Sequence, residues 1–162
     1  MKFVFWFGFL FLANCGAMDS NARIPVLPLE MPEGYPEIPP MVDRFNDLMR
    51  NHPDYVEGAV RTIEVVDSFE GLQPHAKPNS IGLCLISKWS SGSVQRGSGR
   101  IYFKKEYWTS ATFLDKEATL THEMGHCSLG FQHIVGKPSI MGPDSLPTYY
   151  LSEYWNDLIK DF

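Results

Sequence analysis

Apolar residues recur at helical spacing in three separate parts of the chain, with β-rich runs between the first two. The first part predicts a helix over residues 40–51, because the proline pair at its start fits a first helical turn. The second predicts a helix that runs to about residue 129, with Asp115 as its N-cap. The third predicts a final helix over 152–161 with one apolar stripe.

Three runs rich in β-branched and aromatic residues predict strands over 60–69, 80–89 and 100–108. In the second run apolar residues occupy successive positions, which is typical of a strand buried on both faces and predicts that it is central. The polar run 89–99, rich in Ser and Gly, predicts a flexible loop. Together these patterns predict an α+β fold: a small twisted mixed sheet, an N-terminal helix, a long central helix and a C-terminal helix.

The central helix contains His122-Glu123-Met124-Gly125-His126, an H-E-x-x-H pattern. Two histidines four residues apart project from one face of a helix, one turn apart. Both imidazoles can therefore reach one zinc ion at about 2.0–2.1 Å. Glu123 is carried toward the open side of that metal, where it can take a proton from a water activated by zinc.

A third zinc ligand is needed, because catalytic zinc sites usually have three protein ligands and one open position. His133 is the candidate, since Gly130 can adopt the left-handed conformation that ends a helix and turns the chain back. Asp144 and Glu153 are alternative ligands, as carboxylates downstream of the motif. Met141 follows in a short turn, Ser-Ile-Met-Gly-Pro.

These features resemble the zincin metalloproteases of the metzincin type, over about residues 122–141. The usual metzincin motif has its glycine and third histidine one residue earlier; the longer spacing is similar to that of small bacterial lipoprotein-like proteases. The resemblance implies a minimal zincin-like fold over residues 40–162, zinc as cofactor, and a peptide or protein substrate. It also implies roles for five residues: Glu123 as general base, His122, His126 and His133 as zinc ligands, and Met141 in a turn below the metal.

In zincins an edge strand above the zinc binds the substrate backbone as an added strand. The predicted third strand, 100–108, is either that edge or a plain hairpin strand. Tyr149 or Tyr150 either donates a hydrogen bond to the negative charge that develops during hydrolysis or serves in packing.

Composition narrows the function further. The chain has 162 residues, 44% of them hydrophobic and 20% charged, with a formal net charge of −5, which indicates one globular domain. No basic stripe or nucleic-acid motif is present in the sequence, which argues against a nucleic-acid partner. We expect a monomer that acts on peptides or proteins. The rival function is an inactive surface lipoprotein that binds partners, although an intact Glu123 argues against it.

The N-terminus predicts export. Residues 1–15 consist of one lysine, an apolar run too short to cross a bilayer, and Cys15, which resembles the end of a lipobox. Cys15 would then carry the lipid that anchors the protein at the cell envelope. An ordinary signal peptide cleaved near Ala17 would instead give a secreted protein, and a buried N-terminal helix is the third reading. Six of the twelve prolines lie between Pro25 and Pro40, so residues 16–39 form either a semi-rigid spacer or an inhibitory segment.

Two further cysteines, Cys84 and Cys127, lie in a predicted strand and directly after a predicted zinc ligand. They either form a disulfide, which an exported protein permits, or are two small buried hydrophobic residues. Cys127 is a poor zinc ligand, because its side chain points about 100° away from that of His126 on a helix.

Overall fold

The computed structural model describes residues 28–72, 79–91 and 94–162, which form an α+β fold. This part of the chain contains a three-stranded mixed sheet and four α-helices. The elements in chain order are α1 (Ile38–Met49), β1 (Val60–Val66), β2 (Gly82–Ser91), β3 (Val94–Lys104), α2 (Lys105–Ser110), α3 (Phe113–Met124), a π-helical turn (Gly125–Leu129) and α4 (Thr148–Lys160). The predicted signal peptide, Cys15 and the first part of the proline-rich segment lie outside the described residues.

The sheet has the order β1-β3-β2, so β3 is central and β2 is an edge strand. β3 pairs parallel with β1 and antiparallel with β2. Ile101 and Phe103 of β3 are fully buried, as a central strand requires. The prediction that the run 80–89 is central was therefore wrong. Its apolar residues are only partly buried, because several of them line an open cleft rather than a second covered face.

Two further predictions were wrong: the loop over residues 89–99 and the end of the strand over residues 100–108. β2 and β3 pair continuously out to Ser91 and Val94, because a backbone ladder needs main-chain groups and not apolar side chains. At the other end the chain leaves the sheet at Lys104 and forms α2. This turn of helix buries Trp108, which stacks on Phe103 with ring centroids 4.3 Å apart.

The three helices predicted from the sequence are present, but their ends are shifted. α1 begins two residues before the predicted start and buries its apolar stripe in the main core: Ile38, Met41, Val42, Phe45 and Met49. The N-cap of α3 is Thr112 and not Asp115 as predicted. Asp115 is the third helical residue, and its side chain reaches back to the Thr112 backbone in a capping box. The final helix begins four residues earlier than predicted, at Thr148.

Residues before α1 also contact the folded body. Glu30 forms an isolated parallel bridge with Thr62, and Leu29, Met31 and Tyr35 pack against the main core. The described end of the proline-rich segment is thus attached to the edge of the sheet beside β1. Within the described part of the chain, no helix combines the length and the apolar content that crossing a bilayer requires.

Candidate metal centre

Helix α3 and the turn that follows it carry the H-E-x-x-H motif. The α-helix widens into a π-helical turn at Gly125–Leu129, and Gly130 then adopts the predicted left-handed conformation, with φ of 71°. A π-helical turn accommodates one more residue than an α-helical turn does. One more residue separates His126 from Gly130 here than in the usual metzincin spacing. The π-helical turn therefore accommodates this additional residue at the end of the helix.

The chain returns after Gly130 and brings a third histidine to the first two. The Nε2 atom of His122 lies 3.0 Å from Nε2 of His126 and 3.3 Å from Nε2 of His133. The possible ligand atoms of the three side chains all lie within 4.8 Å of one another. Among the described residues no carboxylate joins this group, so neither Asp144 nor Glu153 is brought to it.

Backbone carbonyls fix the two helical histidines in one tautomer. The Nδ1 atom of His122 lies 2.6 Å from the Ile140 oxygen, and that of His126 lies 2.6 Å from the Phe131 oxygen. A carbonyl oxygen can only accept, so each Nδ1 must carry the proton and donate it. Each Nε2 then carries a lone pair, and the two Nε2 atoms lie 3.0 Å apart. This is the arrangement in which histidines bind a metal, with the far ring nitrogen held by a second group.

Burial keeps the helical histidines in the neutral form that binds metal. Burial lowers the pKa of His122 to about 4, and the neighbouring His126 and His133 act in the same direction. Burial also lowers the pKa of His126. Metal binding requires neutral imidazole, so protons compete little with a metal for these two rings at neutral pH. Three imidazole nitrogen donors match the ligand set of a catalytic zinc site.

Glu123 lies on the side of α3 that faces the edge strand β2. Its side chain is only 6% exposed, yet it lines the same cleft as the three histidines and does not belong to the ligand group. Burial raises the pKa of Glu123 to about 8, and a hydrogen bond from the backbone N–H of Cys84 opposes that rise. A carboxyl group with a pKa close to neutral is suited to exchange protons.

Met141 lies in the tight turn that supports His122. The turn is closed by hydrogen bonds from the Gly142 N–H to the Ser139 carbonyl and from the Met141 N–H to the Ser139 hydroxyl. It presents the Ile140 carbonyl to His122. Met141 is buried, and its sulfur lies so near Gly125 that a Cβ atom on that glycine would come within 2.8 Å.

A disulfide joins Cys84 of β2 to Cys127 of the π-helical turn, with Cα atoms 5.8 Å apart. Of the two possibilities that the sequence leaves open, the structure has the disulfide. It connects the edge strand directly to the segment that carries His126. Cys127 is thereby also excluded as a metal ligand.

The three histidines and Glu123 open onto a cleft of about 730 Å³ between β2, α3 and the loop before α4. The backbone N–H of Lys104 donates to the Ile81 carbonyl. In an antiparallel ladder, residues that bond to the partner strand alternate with residues that do not. The main-chain groups of Gly82 and Cys84 therefore point away from β3, toward the free edge. The strand beside the site is therefore β2. Of the two roles that the sequence left open for the third strand, the structure has the hairpin strand and not the edge, because β3 is central and pairs antiparallel with β2. Neither Tyr149 nor Tyr150 lines the cleft.

Sequence reasoning missed three contributors to the site: the carbonyls of Phe131 and Ile140, and Gly82. No sequence signal identifies a carbonyl acceptor, because every residue has one. Gly82 had a signal, since an isolated glycine inside an apolar strand often marks a place where another group approaches the backbone closely.

Comparisons of the chain with protein-family models, with characterised proteins and with solved structures found no match. No relative therefore supplies a function. The functional argument depends on the geometry of the histidine group, on Glu123 and on the cleft beside β2.

Proposed function

We propose that this chain is a zinc-dependent metalloendopeptidase of the zincin type, which hydrolyses peptide bonds. The observation that carries the proposal is the convergence of three imidazole Nε2 atoms, two of them in a tautomer fixed by carbonyls, beside a buried carboxyl group. A structural zinc site is normally closed by a fourth protein ligand. Here, among the described residues, three ligands open onto a cleft, which favours a catalytic site.

His122, His126 and His133 would hold the zinc. When bound, zinc supplies a Lewis acid that polarises the scissile carbonyl and lowers the pKa of a water molecule. Glu123 accepts the proton of the attacking water and passes it to the leaving amine, which is the work of a general base followed by that of a general acid. In the metal-free protein burial raises the pKa of Glu123 to about 8, so this carboxyl group is able to hold a proton near neutral pH, as the exchange requires.

β2 is the element that would position a peptide. Its outer edge borders the cleft through residues 82–84 and Ile86, and the preceding residues 79–81 extend the same wall. An extended peptide can add to such an edge through main-chain hydrogen bonds, while side-chain pockets supply selectivity. The opposite wall is formed by α3 and by the loop before α4, so a bound peptide would pass between the edge strand and the histidines.

The zinc content of the purified protein and its cleavage of a peptide library test the proposal, with wild type measured beside Glu123→Ala. We expect one zinc per chain in both proteins. Loss of a general base lowers the rate about 10²–10⁴-fold. Glu57→Ala, which removes an exposed carboxylate before β1, is the control and should cleave like wild type.

Two outcomes would contradict the proposal. Equal cleavage by Glu123→Ala and wild type would exclude Glu123 as the base. A wild-type protein that binds zinc and cleaves no peptide would support the rival function, a surface protein that binds partners and has no activity.

We also propose that the protein is exported and anchored to the cell envelope through lipid on Cys15. The support is the lysine, the apolar run and the lipobox-like ending of residues 1–15. Cys15→Ser should release the protein from the membrane fraction, and mass spectrometry should find the lipid on wild type alone. A wild-type protein recovered without lipid would exclude the lipid anchor.

A further inference from the structure

Gly82, the first residue of β2, faces the side chain of Glu123 at unusually short distance. A Cβ atom on Gly82 would lie 2.6 Å from Oε1 of Glu123 and 2.8 Å from its Cγ. Such distances are below van der Waals contact for carbon with carbon or oxygen. Any residue other than glycine at position 82 would therefore force the Glu123 carboxyl group to move.

The Glu123 carboxyl group has little room in which to move. It is almost completely buried between α3 and β2. On the strand side the N–H of Cys84 holds it with a hydrogen bond. The same Cys84 is covalently joined to Cys127, four residues after Glu123, so the strand and the helix cannot separate locally. Strand, disulfide and helix thus confine the carboxyl group on the sides away from the cleft, so a displaced carboxyl group would have to move toward the cleft.

We propose that Gly82 is a positioning residue for Glu123: the missing side chain allows the carboxyl group to lie against the edge strand, at the boundary between the peptide path and the histidines. The catalytic part of this inference rests on the proposed function. The contact between Gly82 and Glu123 does not, and it can be tested in a protein without activity.

The first test is steady-state cleavage of a library peptide by Gly82→Ala. We expect kcat to fall at least 10-fold while zinc content stays at one per chain, because the three histidines are not displaced. In the Glu123→Ala background the same change should lower the residual kcat less than 2-fold, since the displaced group is already absent. Equal fold-losses in both backgrounds would overturn the positioning role, and so would a Gly82→Ala protein with wild-type kcat.

The second test measures the contact without using activity. The melting temperature is recorded for wild type, Gly82→Ala, Glu123→Ala and the double variant, each as the full chain with and without chelator. Gly82→Ala should lower the melting temperature in the wild-type background and lower it clearly less, or not at all, in the Glu123→Ala background. If the melting-temperature changes of the two single variants simply add up in the double variant, the contact is contradicted.

Gly34→Ala, before α1, is the control for this cycle, because its φ of 85° disfavours any side chain while no atom lies within 4 Å of the added Cβ. It should lower the melting temperature about equally in both backgrounds. If wild type cleaves no peptide but Gly82 and Glu123 are coupled in the melting experiment, the proposed function fails while the contact stands. If wild type is active and the coupling is zero, the positioning inference fails alone.

Discussion

The three histidines of the candidate metal centre belong to two regions that are built differently. His122 and His126 lie on the helix, are at least half-buried, and each donates from Nδ1 to a backbone carbonyl. His133 lies in the irregular segment after Gly130 and is exposed. Among the described residues no carbonyl holds the His133 ring; its contacts are with the other two histidines.

In the proposed zinc site this difference would separate a preorganised pair of ligands from an adjustable third one. Ligands whose rotamers and tautomers are already fixed lose little freedom when a metal binds, so they supply affinity at low cost. An exposed ring must be ordered by the metal itself. We therefore expect the helical pair to dominate zinc affinity, and His133 to complete the coordination geometry.

Removal of a helical ligand should have the largest effect. His122→Ala deletes a nitrogen donor and leaves the Ile140 carbonyl without its partner. Loss of a group that merely supports a ligand lowers metal affinity about 10–100-fold, so loss of the ligand should exceed 100-fold. Competition with a zinc chelator measures this affinity. An affinity within 10-fold of wild type would show that the pair is not the main determinant.

Removal of the exposed ligand should have a clear but smaller effect. We expect His133→Ala to lower zinc affinity about 10–100-fold, the range known for supporting groups, and to abolish cleavage. Gln132→Ala, an exposed neighbour on the same segment, is the control and should bind zinc like wild type. The comparison between the two regions breaks down if His133→Ala loses as much zinc affinity as His122→Ala.

The buried side of the site should give the metal-free protein a distinctive pH dependence. The folded-state pKa of Glu123, about 8, lies above its ordinary value of 4.5, so its contribution to the free energy of unfolding falls as pH rises between these values. The folded-state pKa of His122, about 4, lies below its ordinary value of 6.5, so its contribution rises with pH, but only up to about 6.5. Of these two contributions, only that of Glu123 still changes with pH above 6.5.

We accordingly expect the free energy of unfolding of the chelated protein to fall by about 2 kcal/mol between pH 6.5 and 8 because of Glu123, at 1.36 kcal/mol per pH unit. Glu123→Gln, which cannot titrate, should remove that decline. Urea denaturation at the two pH values measures it. An identical decline in both proteins would assign it to other groups.

The smallest effect is expected from Met141→Leu, in the turn below the helical pair. The two side chains have similar volumes, and such exchanges in a core usually cost less than about 1.5 kcal/mol. Since the Ile140 carbonyl would stay in place, zinc affinity should change less than 3-fold. A large loss of zinc affinity with unchanged stability would indicate that the methionine sulfur itself matters to the metal.

The parts of this site that were predictable from sequence are those fixed by helical periodicity. The spacing of His122 and His126 sets their common face wherever the helix packs, and the left-handed Gly130 follows from the conformational freedom of glycine. The return of His133 was predicted from a turn after Gly130. The structure instead absorbs the additional residue before that glycine, in the π-helical turn, which local sequence does not distinguish from a regular helix end.

Strand order was the part that sequence could not supply. An apolar run indicates burial, and the cleft wall of β2 satisfies that pattern as well as a covered central strand would. The polar run 94–99 pairs as part of β3 because its main chain bonds to β2 along the whole run, and β1 joins only at Gly99. Both facts depend on contacts between residues that are distant in sequence, which periodicity does not contain.

The central claim is that three histidine nitrogens hold one zinc ion. X-ray absorption at the zinc edge of the purified full chain, combined with anomalous diffraction from its crystals, tests it directly. The account predicts one zinc per chain with nitrogen atoms of His122, His126 and His133 at about 2.0–2.1 Å. A carboxylate oxygen of Asp144 or Glu153 in place of the His133 nitrogen, or a protein that takes up no zinc, would contradict it.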